Sequence, residues 1–528
     1  MGRVDDEWRL CTNKLFYIAA SPIHYQTIFQ NLAASRLTEP CSPEEGWTRV
    51  MVEKPFGKDL ATAQELDTML GRLFREEQIY RVDHYLGKDT VRNLLTFRFS
   101  NSFLEPAWNA RGIDHIHIRV FEKDGVEERG QFYDGIGALR DVGQNHMLQL
   151  LALIAMENPG TFDADSIRRE RAKVLEMLEG MDRQDIVRQT VRAQYDGYRQ
   201  ILGVAPDSNT ETYFSIQTYL KSARWAGVPI WLKSGKRMPE AAVEVAVHFR
   251  HQVPCLCPPG KHYTNVLTYR IQPHEGVTTS FWVKRPGADM QIEKQDFSFD
   301  YKAAYEGKFM NEYMKLLIDM FRGDQTLFVS TDEIMAEWKF VDPILHAWGE
   351  NVVPLETYEP GTVPKAAHDM DGMKMPRKRI GYIGLGKMGF NMVQRLLDHH
   401  WEVVASDPNQ EAREKAQAAG AKAVETAADV VKTLRPSRQA RGKHAQGDPD
   451  QKLLIWIMVP HNVVDEVLKE IAPHLEKGDA VIDGGNSNYK ESVRRGEMLA
   501  EKGIEYLDIG VSGGPEGARK GACLMIGC

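Results

Sequence analysis

The stretch RVMVEKPFGKDLATAQELDTMLGRLF (residues 49–74) joins an apolar run of strand type to a segment whose apolar residues recur at helical spacing. The same order occurs just before it, with LFYIAA (15–20) as a strand and HYQTIFQNLAAS (24–35) as a helix. Strands that alternate with helices in this way predict a parallel sheet with helical crossovers. The chain therefore opens with an α/β fold.

A different pattern begins near Asn109, where polar and apolar residues alternate as they do in half-buried strands. The alternating runs are HIHIRVFE (115–122), TYFSIQTYL (212–220), VEVAVHFR (243–250), VLTYRIQP (266–273) and TTSFWVKR (278–285). Strands that follow one another without helices favour a large, mainly antiparallel sheet. We expect helices at QNHMLQLLALIAME (144–157) and EYMKLLIDMFRG (312–323) to cover one face of it, which makes this region an α+β domain.

A further strand-to-helix transition occurs at RIGYIGLGKMG (379–389), which carries the spacing G-x-G-x-x-G at Gly384, Gly386 and Gly389. In dinucleotide-binding folds such a turn lets backbone N–H groups contact the pyrophosphate, and an acidic residue about 20 positions later binds the ribose. Asp407 stands at that distance. The segment predicts a dinucleotide-binding domain of Rossmann type, and the alternative is a Gly-rich structural turn.

These patterns divide the 528-residue chain, which is too long for a single core, into four regions. We predict a partial Rossmann domain at 1–86, a β+α substrate and dimerisation domain at 87–353, a linker at 354–378 and a second Rossmann domain at 379–528. A polar stretch at 437–451 is predicted to be a flexible insertion in the last of these.

Composition limits the classes of function. The formal net charge is −8 and the basic residues are spread along the chain, which argues against a nucleic-acid binder. No apolar stretch reaches the ~20 residues of a membrane span, and the start lacks the apolar core of a signal peptide. Six cysteines make no disulfide framework, and the pair Cys255 and Cys257 lacks further ligands for a metal. We therefore expect a cytoplasmic protein with no metal site and no membrane partner.

Two segments combine acids, histidines and a lysine. YRVDHYLGK (80–88) contains Asp83 and Lys88, and RDVGQNHMLQ (140–149) contains His146 at the start of an apolar helix. Either segment alone is typical of a surface turn or a core histidine. Together with VEKPFGKDL (52–60) they resemble the glucose-6-phosphate dehydrogenase family, and AMENP, SGKRMP, NVLTYRIQP, GDQTLF and YEPG follow in the family's order. The resemblance runs from about Leu15 to about Ala367.

The resemblance implies which residues carry the chemistry. His146 corresponds to the base that takes the proton of the anomeric hydroxyl of glucose 6-phosphate, while hydride leaves for NADP. Asp83 corresponds to the carboxylate that orients this histidine. His84, Tyr85 and Lys88 correspond to the binders of the sugar phosphate. By the same resemblance we expect a homo-oligomer.

Further residues of the sugar site follow from the same motifs. Glu122 and Asp141 match residues that hydrogen-bond the sugar hydroxyls, and Lys236 matches another substrate contact. Lys54 matches a lysine where substrate and nicotinamide meet, and it precedes the family's cis peptide at Pro55.

The chain departs from the family pattern in two places. Glu240 and Ala241 stand where the family usually supplies one more basic residue, so we expect weaker binding of the substrate. The Gly-rich turn G-x-x-G-D-L, which would contact the cofactor pyrophosphate, has no counterpart before Leu15. The first cofactor domain is therefore expected to be truncated.

The last 150 residues resemble the cofactor domain of decarboxylating 6-phosphogluconate dehydrogenase, through IMVP (457–460), IDGGNSNY (482–489) and DIGVSGGPEGARKGACLMIG (508–527). The resemblance implies a 6-phosphogluconate pocket formed by Asn486, Ser512, Gly513 and Gly514. It implies cofactor contacts from Gly384, Gly386, Lys387, Met388, Gly389, Asp407, Val459 and Asn486. The family's catalytic lysine segment does not occur in the sequence, so we place no decarboxylation chemistry here.

Cofactor choice in this last domain is predicted from Asp407. A carboxylate beside the ribose would repel a 2′-phosphate by roughly 1 kcal/mol in water at ~4 Å, and by about 4 kcal/mol at an effective dielectric near 20. NAD is therefore expected to be preferred over NADP, with Lys387 as the one nearby cation. For the whole chain three interpretations stay open: two fused activities, a protein that binds without turnover, or a Gly384 domain that supplies cofactor to the His146 pocket.

Overall fold

The computed structural model describes residue 7 and residues 11–20, 24–38, 46–251, 263–305, 310–367, 379–398, 401–435 and 452–527. The chain forms two compact units, Met1–Met370 and Asp371–Cys528. Among the described helices, none combines the length and the apolar character that crossing a membrane requires. Of the described cysteines, Cys11 is disulfide-bonded and Cys523 is free and exposed.

The first unit begins with a three-stranded parallel sheet, in the order β1–β2–β3. Its strands are Lys14–Ile18 (β1), Thr48–Val52 (β2) and Ile79–Arg81 (β3), and its crossover helices are Tyr25–Ala34 (α1) and Leu60–Leu73 (α2). Asp59 fixes the start of α2, because its carboxylate accepts the Thr62 N–H at 2.8 Å. The α/β opening predicted from the sequence is confirmed.

A nine-stranded sheet follows, in the order β11–β10–β9–β8–β4–β7–β6–β5–β12. The strands are Ile113–Phe121 (β4), Thr190–Tyr195 (β5), Tyr213–Thr218 (β6), Ile230–Gly235 (β7), Ala242–Phe249 (β8), Val266–Gln272 (β9), Gly276–Lys284 (β10), Ile292–Asp300 (β11) and Leu355–Tyr358 (β12). β4 pairs with β7 and β5 with β12 in parallel, and the other neighbours are antiparallel. The mainly antiparallel β+α domain is therefore present.

Helices pack around both sheets of this unit. They are Asp89–Ser100 (α3), Gly130–Tyr133 (α4), Leu148–Ala155 (α5), Ala164–Glu176 (α6), Arg183–Gln189 (α7), Tyr301–Ala304 (α8), Glu312–Arg322 (α9) and Thr331–Gly349 (α10), and Leu139–Met147 is a π-helical segment directly before α5. A π-helical stretch of this kind is rare and is frequently found at functional sites.

The position predicted for the helix at 312–323 is wrong. Leu316 and Met320 on α9 pack with Met51, Tyr80 and Phe328, which belong to the small parallel sheet and its surroundings. The apolar spacing predicts correctly that one face of this helix is buried. It carries no information about which of two sheets receives that face.

The predicted linker at 354–378 is also partly wrong. Its first residues form β12, which pairs with β5, and Tyr358 and Ala367 are buried in a cluster with Tyr195. Proline and glycine around β12 resemble a linker in composition, yet the short strand between them extends the sheet. Residues 368–378 and the predicted insertion at 437–451 lie outside the described part of the chain.

The second unit contains a seven-stranded sheet in the order β15–β14–β13–β16–β17–β18–β19. The strands are Arg379–Ile383 (β13), Glu402–Ser406 (β14), Lys422–Val424 (β15), Leu454–Ile457 (β16), Ala480–Asp483 (β17), Glu505–Ser512 (β18) and Cys523–Gly527 (β19). The helices are Lys387–Asp398 (α11), Gln410–Ala418 (α12), Ala427–Leu434 (α13), Val464–Ile471 (α14), Tyr489–Ala500 (α15) and Gly514–Lys520 (α16).

All pairs in this sheet are parallel except β18 with β19. The strand order runs outward from β13 in one direction and from β16 in the other. Ligands of such folds bind at the carboxyl ends of the strands where the order reverses. The predicted Rossmann domain is confirmed.

Candidate active site

An acid–histidine pair lies at the centre of the first unit. His146 is on the π-helical segment, and Asp83 precedes the short turn His84–Gly87, where its carboxylate accepts the Tyr85 N–H at 2.9 Å. The Nδ1 atom of His146 lies 2.6 Å from Oδ1 of Asp83, within the reach predicted from the sequence. Both side chains are buried, so the pair is held in one geometry.

Burial and charge set the protonation states of the pair. Burial lowers the pKa of His146, and the Lys54 ammonium lowers it further, against the opposing effect of the Asp83 carboxylate. Burial alone would raise the pKa of Asp83, but the contact with His146, whose ring nitrogen donates to the carboxylate, outweighs burial, so this pKa is lowered. At neutral pH the pair is therefore an ionised carboxylate and a neutral imidazole, which is the state a base requires.

Lys54 contacts the other nitrogen of the ring. Its Nζ lies 3.0 Å from Nε2 of His146 and donates to the backbone oxygen of Asp141 at 2.7 Å. The Lys54–Pro55 peptide bond is cis, as the family resemblance implied. Because the Lys54 side chain is about a quarter exposed, the Nε2 side of the ring is the side nearest to solvent.

The residues predicted to bind phosphate surround the pair. Tyr85 stacks on the His146 ring at 4.1 Å between centroids, and His84 meets the same ring edge-on at 4.8 Å. Burial, followed by the unfavourable interaction with His146 when both rings are protonated, lowers the pKa of His84 to about 4. His84 is therefore neutral at physiological pH, and Lys88 supplies the positive charge of this group.

The remaining sugar-site residues form a second group. Lys236 is ion-paired with Glu122, and its Nζ lies 4.0 Å from Oδ2 of Asp141. Asp141 in turn lies 3.7 Å from Lys54 through Oδ1. The structure thus brings all the residues predicted for this site together, with Asp141 joining the two groups.

Two site residues were not predicted from the sequence. Glu312 on α9 lies 3.5 Å from the Lys88 ammonium, and the ring of Tyr313 is parallel to that of His84 at 6.1 Å. Asn311 caps this helix, so in the sequence Glu312 and Tyr313 look like the ordinary first residues of a helix. No pattern in the sequence distinguishes these two residues from surface residues.

Two details complete this site. Glu240, which stands where the family usually has a positively charged residue, is paired with Arg119 at 3.3 Å.

Asp83, His84 and His146 form the one acid–histidine group within the described residues that is compact enough to consider for a metal, with ligand atoms within 4.8 Å. The hydrogen bond between Asp83 and His146 already uses the facing atoms of two of them.

The second unit presents a glycine-lined turn between β13 and α11. A Cβ atom on Gly384, whose φ is +101°, would lie 2.3 Å from the Met458 oxygen, and one on Gly389 would lie 2.1 Å from the Gly384 oxygen. A Cβ on Gly386 would meet no atom within 4 Å. Two glycines therefore allow close packing, and the third leaves open space at the start of α11, which begins at Lys387 and Met388. This arrangement fits a dinucleotide pyrophosphate.

Asp407 follows β14 beside this turn. Its Oδ2 accepts the Leu385 N–H at 2.7 Å, and its Oδ1 accepts the Asn409 N–H at 2.9 Å. Arg413 donates to the backbone oxygen of Asp407 at 2.7 Å. The prediction that Lys387 is the one nearby cation is therefore wrong, because Arg413 on α12, six residues after Asp407, is a second cation in contact with that residue.

Other predicted residues follow neighbouring strands of the same sheet. A Cβ on Gly485 would lie 2.4 Å from the Val459 oxygen, so the segments after β16 and β17 are in contact. Asn486 has a φ of 55°, and the buried Asp483 holds its loop by accepting the Ser487 hydroxyl at 2.7 Å. Ser512 ends β18, and Gly513 and Gly514 have positive φ. All these positions lie at the carboxyl edge of the parallel strands.

Comparisons with known proteins agree with this division. The family profiles described as "Glucose-6-phosphate dehydrogenase, NAD binding domain" and "Glucose-6-phosphate dehydrogenase, C-terminal domain" match residues 2–93 and 95–375. The profile "NAD binding domain of 6-phosphogluconate dehydrogenase" matches residues 379–528. NAD(P)-binding domain families therefore match at both ends of the chain.

Individual relatives match the first unit. The chain is 42% identical over 382 residues to glucose-6-phosphate 1-dehydrogenase of Aggregatibacter actinomycetemcomitans, covering 70% of this chain and 76% of that one. It is 42% identical to the enzyme of the same name from Treponema pallidum, covering 69% and 73%. A solved structure described as glucose-6-phosphate dehydrogenase in complex with glucose-6-phosphate matches with 34% identity and a TM-score of 0.64, over 70% of this chain and 76% of that chain.

Proposed function

Because the chain belongs to the glucose-6-phosphate dehydrogenase family, a family of oxidoreductases, we propose that its first unit oxidises glucose 6-phosphate at the anomeric carbon. The product is the 6-phosphogluconolactone. The observation that carries this proposal is the geometry of His146, whose Nδ1 is fixed by Asp83 while its Nε2 faces Lys54. An imidazole held in this way accepts a proton at one defined atom.

The reaction removes one proton and one hydride from the sugar. The O–H proton of the anomeric hydroxyl passes to Nε2 of His146, and the C1–H bond breaks as the ring carbon becomes a carbonyl. NADP, when bound, accepts that hydride. The ionised Asp83 stabilises the imidazolium that forms. Lys54, whose Nζ lies 3.0 Å from Nε2, is placed to donate to the sugar oxygen as that oxygen loses its proton.

Substrate binding is divided between the two groups of side chains. Lys88, His84 and Tyr85 are proposed to bind the phosphate, since one cation with two hydrogen-bonding rings suits a dianion. Glu122, Asp141 and Lys236 are proposed to bind the sugar hydroxyls. The family usually has a positively charged residue where this chain has Glu240. Because Glu240 is paired with Arg119, we propose that the loss of that positive charge weakens substrate binding, while the Glu240 carboxylate adds no repulsion of the phosphate.

We propose that the second unit binds a dinucleotide at the Gly384 turn, and prefers NAD to NADP. The Asp407 carboxylate contacts the turn through the Leu385 N–H, which supports a position beside the ribose. Arg413 donates to the oxygens of Asp407 and Pro408 and is thereby held on the backbone. We further propose that Asn486, Ser512, Gly513 and Gly514 line a site for 6-phosphogluconate, in which small residues allow close approach of a polyhydroxy acid.

A homo-oligomer is proposed from the outer strands of the nine-stranded sheet. Phe281 on β10 and Phe297 on β11 are 44% and 60% exposed, and their rings are in contact at 5.2 Å. Exposed apolar side chains that cluster on a surface are one mark of a protein contact, and these two rings are the observation that supports the proposal. Sedimentation equilibrium of the full chain would measure the mass directly, and a monomer at micromolar concentration would contradict the proposal.

The proposed oxidation is tested on the purified 528-residue chain. Absorbance at 340 nm follows reduction of NADP or NAD with glucose 6-phosphate, and His146→Asn serves as the inactive control. Calorimetry with glucose 6-phosphate alone is run in parallel. Sugar binding without reduction of either coenzyme would replace the proposal with the alternative of a protein that binds without turnover.

The cofactor preference of the second unit needs its own measurement. The full chain is titrated with NAD and with NADP, and the titration is repeated on Gly386→Ala to subtract any binding elsewhere. Tighter binding of NAD, lost in the variant, is expected. Equal or tighter NADP binding at this site would show that Asp407 does not face the adenosine ribose.

A further inference from the structure

A buried carboxyl group on α10 contacts both sides of the segment that carries His146. Glu337 is 2% exposed, and its two oxygens accept from Gln144 Nε2 at 3.1 Å and Gln149 Nε2 at 2.8 Å. These glutamines lie two residues before and three residues after His146. Both are buried as well. One side chain thus bridges the π-helical segment and the start of α5.

The neighbouring residue on the same helix holds the other half of the site. Trp338 donates from Nε1 to the backbone oxygen of Phe56 at 2.9 Å. Phe56 is two residues beyond Lys54, whose Nζ lies 3.0 Å from Nε2 of His146. Adjacent residues of α10 therefore fix the two chain segments that meet at the proposed proton-accepting atom.

We propose that Glu337 is a positioning residue that sets the place of the His146 ring. This inference rests on the proposed function of the first unit. The segment that these bonds hold is π-helical over nine residues, a rare conformation that occurs frequently at functional sites. The two amide hydrogen bonds to Glu337 hold that segment in register, and His146 moves with it.

Burial also determines the charge that Glu337 brings to the site. Burial raises the pKa of this carboxyl well above its ordinary value, and the carboxylates of Glu333 and Asp83 raise it further, against the hydrogen bond from Gln149 and the charge of Arg171. A raised pKa favours the neutral acid, which positions its neighbours with less negative charge near the Asp83 and His146 pair than a carboxylate would add. Asp83 then remains the one anion that His146 contacts among the described residues.

The structure suggests a matched set of variants. Glu337→Leu keeps the approximate volume and removes both acceptors. Glu337→Gln restores the bridge, because Oε1 of Gln149 has no partner among the described residues and can accept from the new amide after Gln149 turns over. Ile344→Ala, fully buried two turns further along α10, is the control for general loss of stability.

Two measurements test the proposal on the full chain. Steady-state kinetics with glucose 6-phosphate separate kcat from KM, and selective ¹⁵N-histidine labelling follows the downfield proton of the His146 Nδ1–H, assigned by its loss in His146→Asn. For Glu337→Leu we expect kcat to fall by about 10- to 100-fold, with a smaller change in KM, and the downfield resonance to shift or broaden. Glu337→Gln should recover most of both, and Ile344→Ala should lower Tm alone.

The outcomes distinguish positioning from stability. A Glu337→Leu variant with lowered Tm but unchanged kcat and an unchanged His146 resonance would overturn the proposal, as would failure of Glu337→Gln to recover either. If the wild-type chain shows no turnover, the proposed function fails, and the resonance of His146 still decides whether Glu337 holds the ring.

Discussion

Asp83 Oδ1 lies 2.6 Å from His146 Nδ1, and the same oxygen accepts the backbone N–H of Tyr85 at 2.9 Å. The other oxygen of this buried carboxylate has no partner among the described residues. The two hydrogen bonds of this carboxylate are therefore made by one oxygen, which holds the imidazole and the turn His84–Gly87 together. One carboxylate oxygen of Asp83 thus holds both the ring of the proposed base and the turn that we propose binds the substrate phosphate.

Replacing this carboxylate should affect turnover more than binding. We expect Asp83→Asn to lower kcat by about 10²- to 10⁴-fold, because a neutral amide neither fixes the ring tautomer nor stabilises the imidazolium. KM for glucose 6-phosphate should change much less. Asp114→Asn is the control, because it alters an acid that is 51% exposed and is paired with His115 on the large sheet. Equal activity of the two variants would remove Asp83 from the mechanism.

The pH dependence of activity follows from the lowered pKa of His146. A base must be neutral to accept a proton, and burial keeps this imidazole neutral below its ordinary pKa of about 6.5. We therefore expect kcat/KM to be constant near neutrality and to fall on the acid side with an apparent pKa below 6.5. An acidic limb of the kcat/KM profile with an apparent pKa clearly above 6.5 would contradict a neutral His146 at physiological pH.

Stability should also decrease in acid, through histidines on the large sheet. Burial lowers the pKa of His117 to about 2, with the Lys233 ammonium adding to the shift, and it lowers that of His248 to about 4 against the opposing charge of Asp114. Below pH 6.5 the unfolded chain takes up these protons and the folded chain does not, so unfolding becomes easier by up to about 1.4 kcal/mol per pH unit for each histidine. The free energy of unfolding continues to decrease until the pH has fallen below the pKa of each histidine in the folded chain.

The measurement is Tm between pH 7 and pH 4.5, for the wild type and for His117→Asn with His248→Asn. The double variant should show a weaker dependence on pH over this interval, whatever its stability at pH 7. Parallel curves for the two proteins would show that other groups cause the loss.

Glu312 should compete with the sugar phosphate for Lys88. The carboxylate lies 3.5 Å from an ammonium that is 6% exposed, so the phosphate must displace it or accept its repulsion. We expect Glu312→Gln to lower KM for glucose 6-phosphate by about two- to fivefold, the range of a partly exposed ion pair. Added salt should reduce the difference, and Glu293→Gln on β11 should leave KM unchanged. A raised KM would mean that Glu312 orients Lys88 for binding.

Two glycines of the Gly384 turn should respond differently to the same substitution. Gly389→Ala places a methyl group 2.1 Å from the Gly384 oxygen, so it should lower Tm and dinucleotide affinity together. Gly386→Ala meets no atom within 4 Å, so it should weaken binding of NAD while Tm stays near the wild-type value. Gly496→Ala on α15, where a Cβ would meet only the Tyr506 ring at an ordinary contact distance of 3.7 Å, is the control for both measurements. Unchanged affinity in Gly386→Ala would place the pyrophosphate elsewhere.

The strands, the helices and the pairing of Asp83 with His146 could be predicted from local patterns and family motifs. Those motifs are contiguous, and each carries its own residues into the site. Glu312, Tyr313 and Glu337 could not be found in this way, because each contributes from a helix that reads as an ordinary amphipathic segment. Their roles depend on which surface receives the helix, and that is decided by tertiary packing.

The error in the predicted linker at 354–378 has a related cause. A four-residue strand between proline and glycine residues has too little pattern to be recognised, and β12 is stable because β5 offers it an open edge. Arg413 shows the same limit in the second unit, since its contact with the Asp407 oxygen depends on where the loop after β14 turns.

The hydrogen bond from Trp338 to Phe56 joins positions 282 residues apart. During synthesis at 5–20 residues per second, about 14 to 56 s separate the appearance of these two residues. Throughout that interval the loop carrying Lys54 exists without the helix that fixes it. The growing polypeptide therefore carries the loop of the proposed proton-accepting site for tens of seconds before the helix that holds that loop has been made.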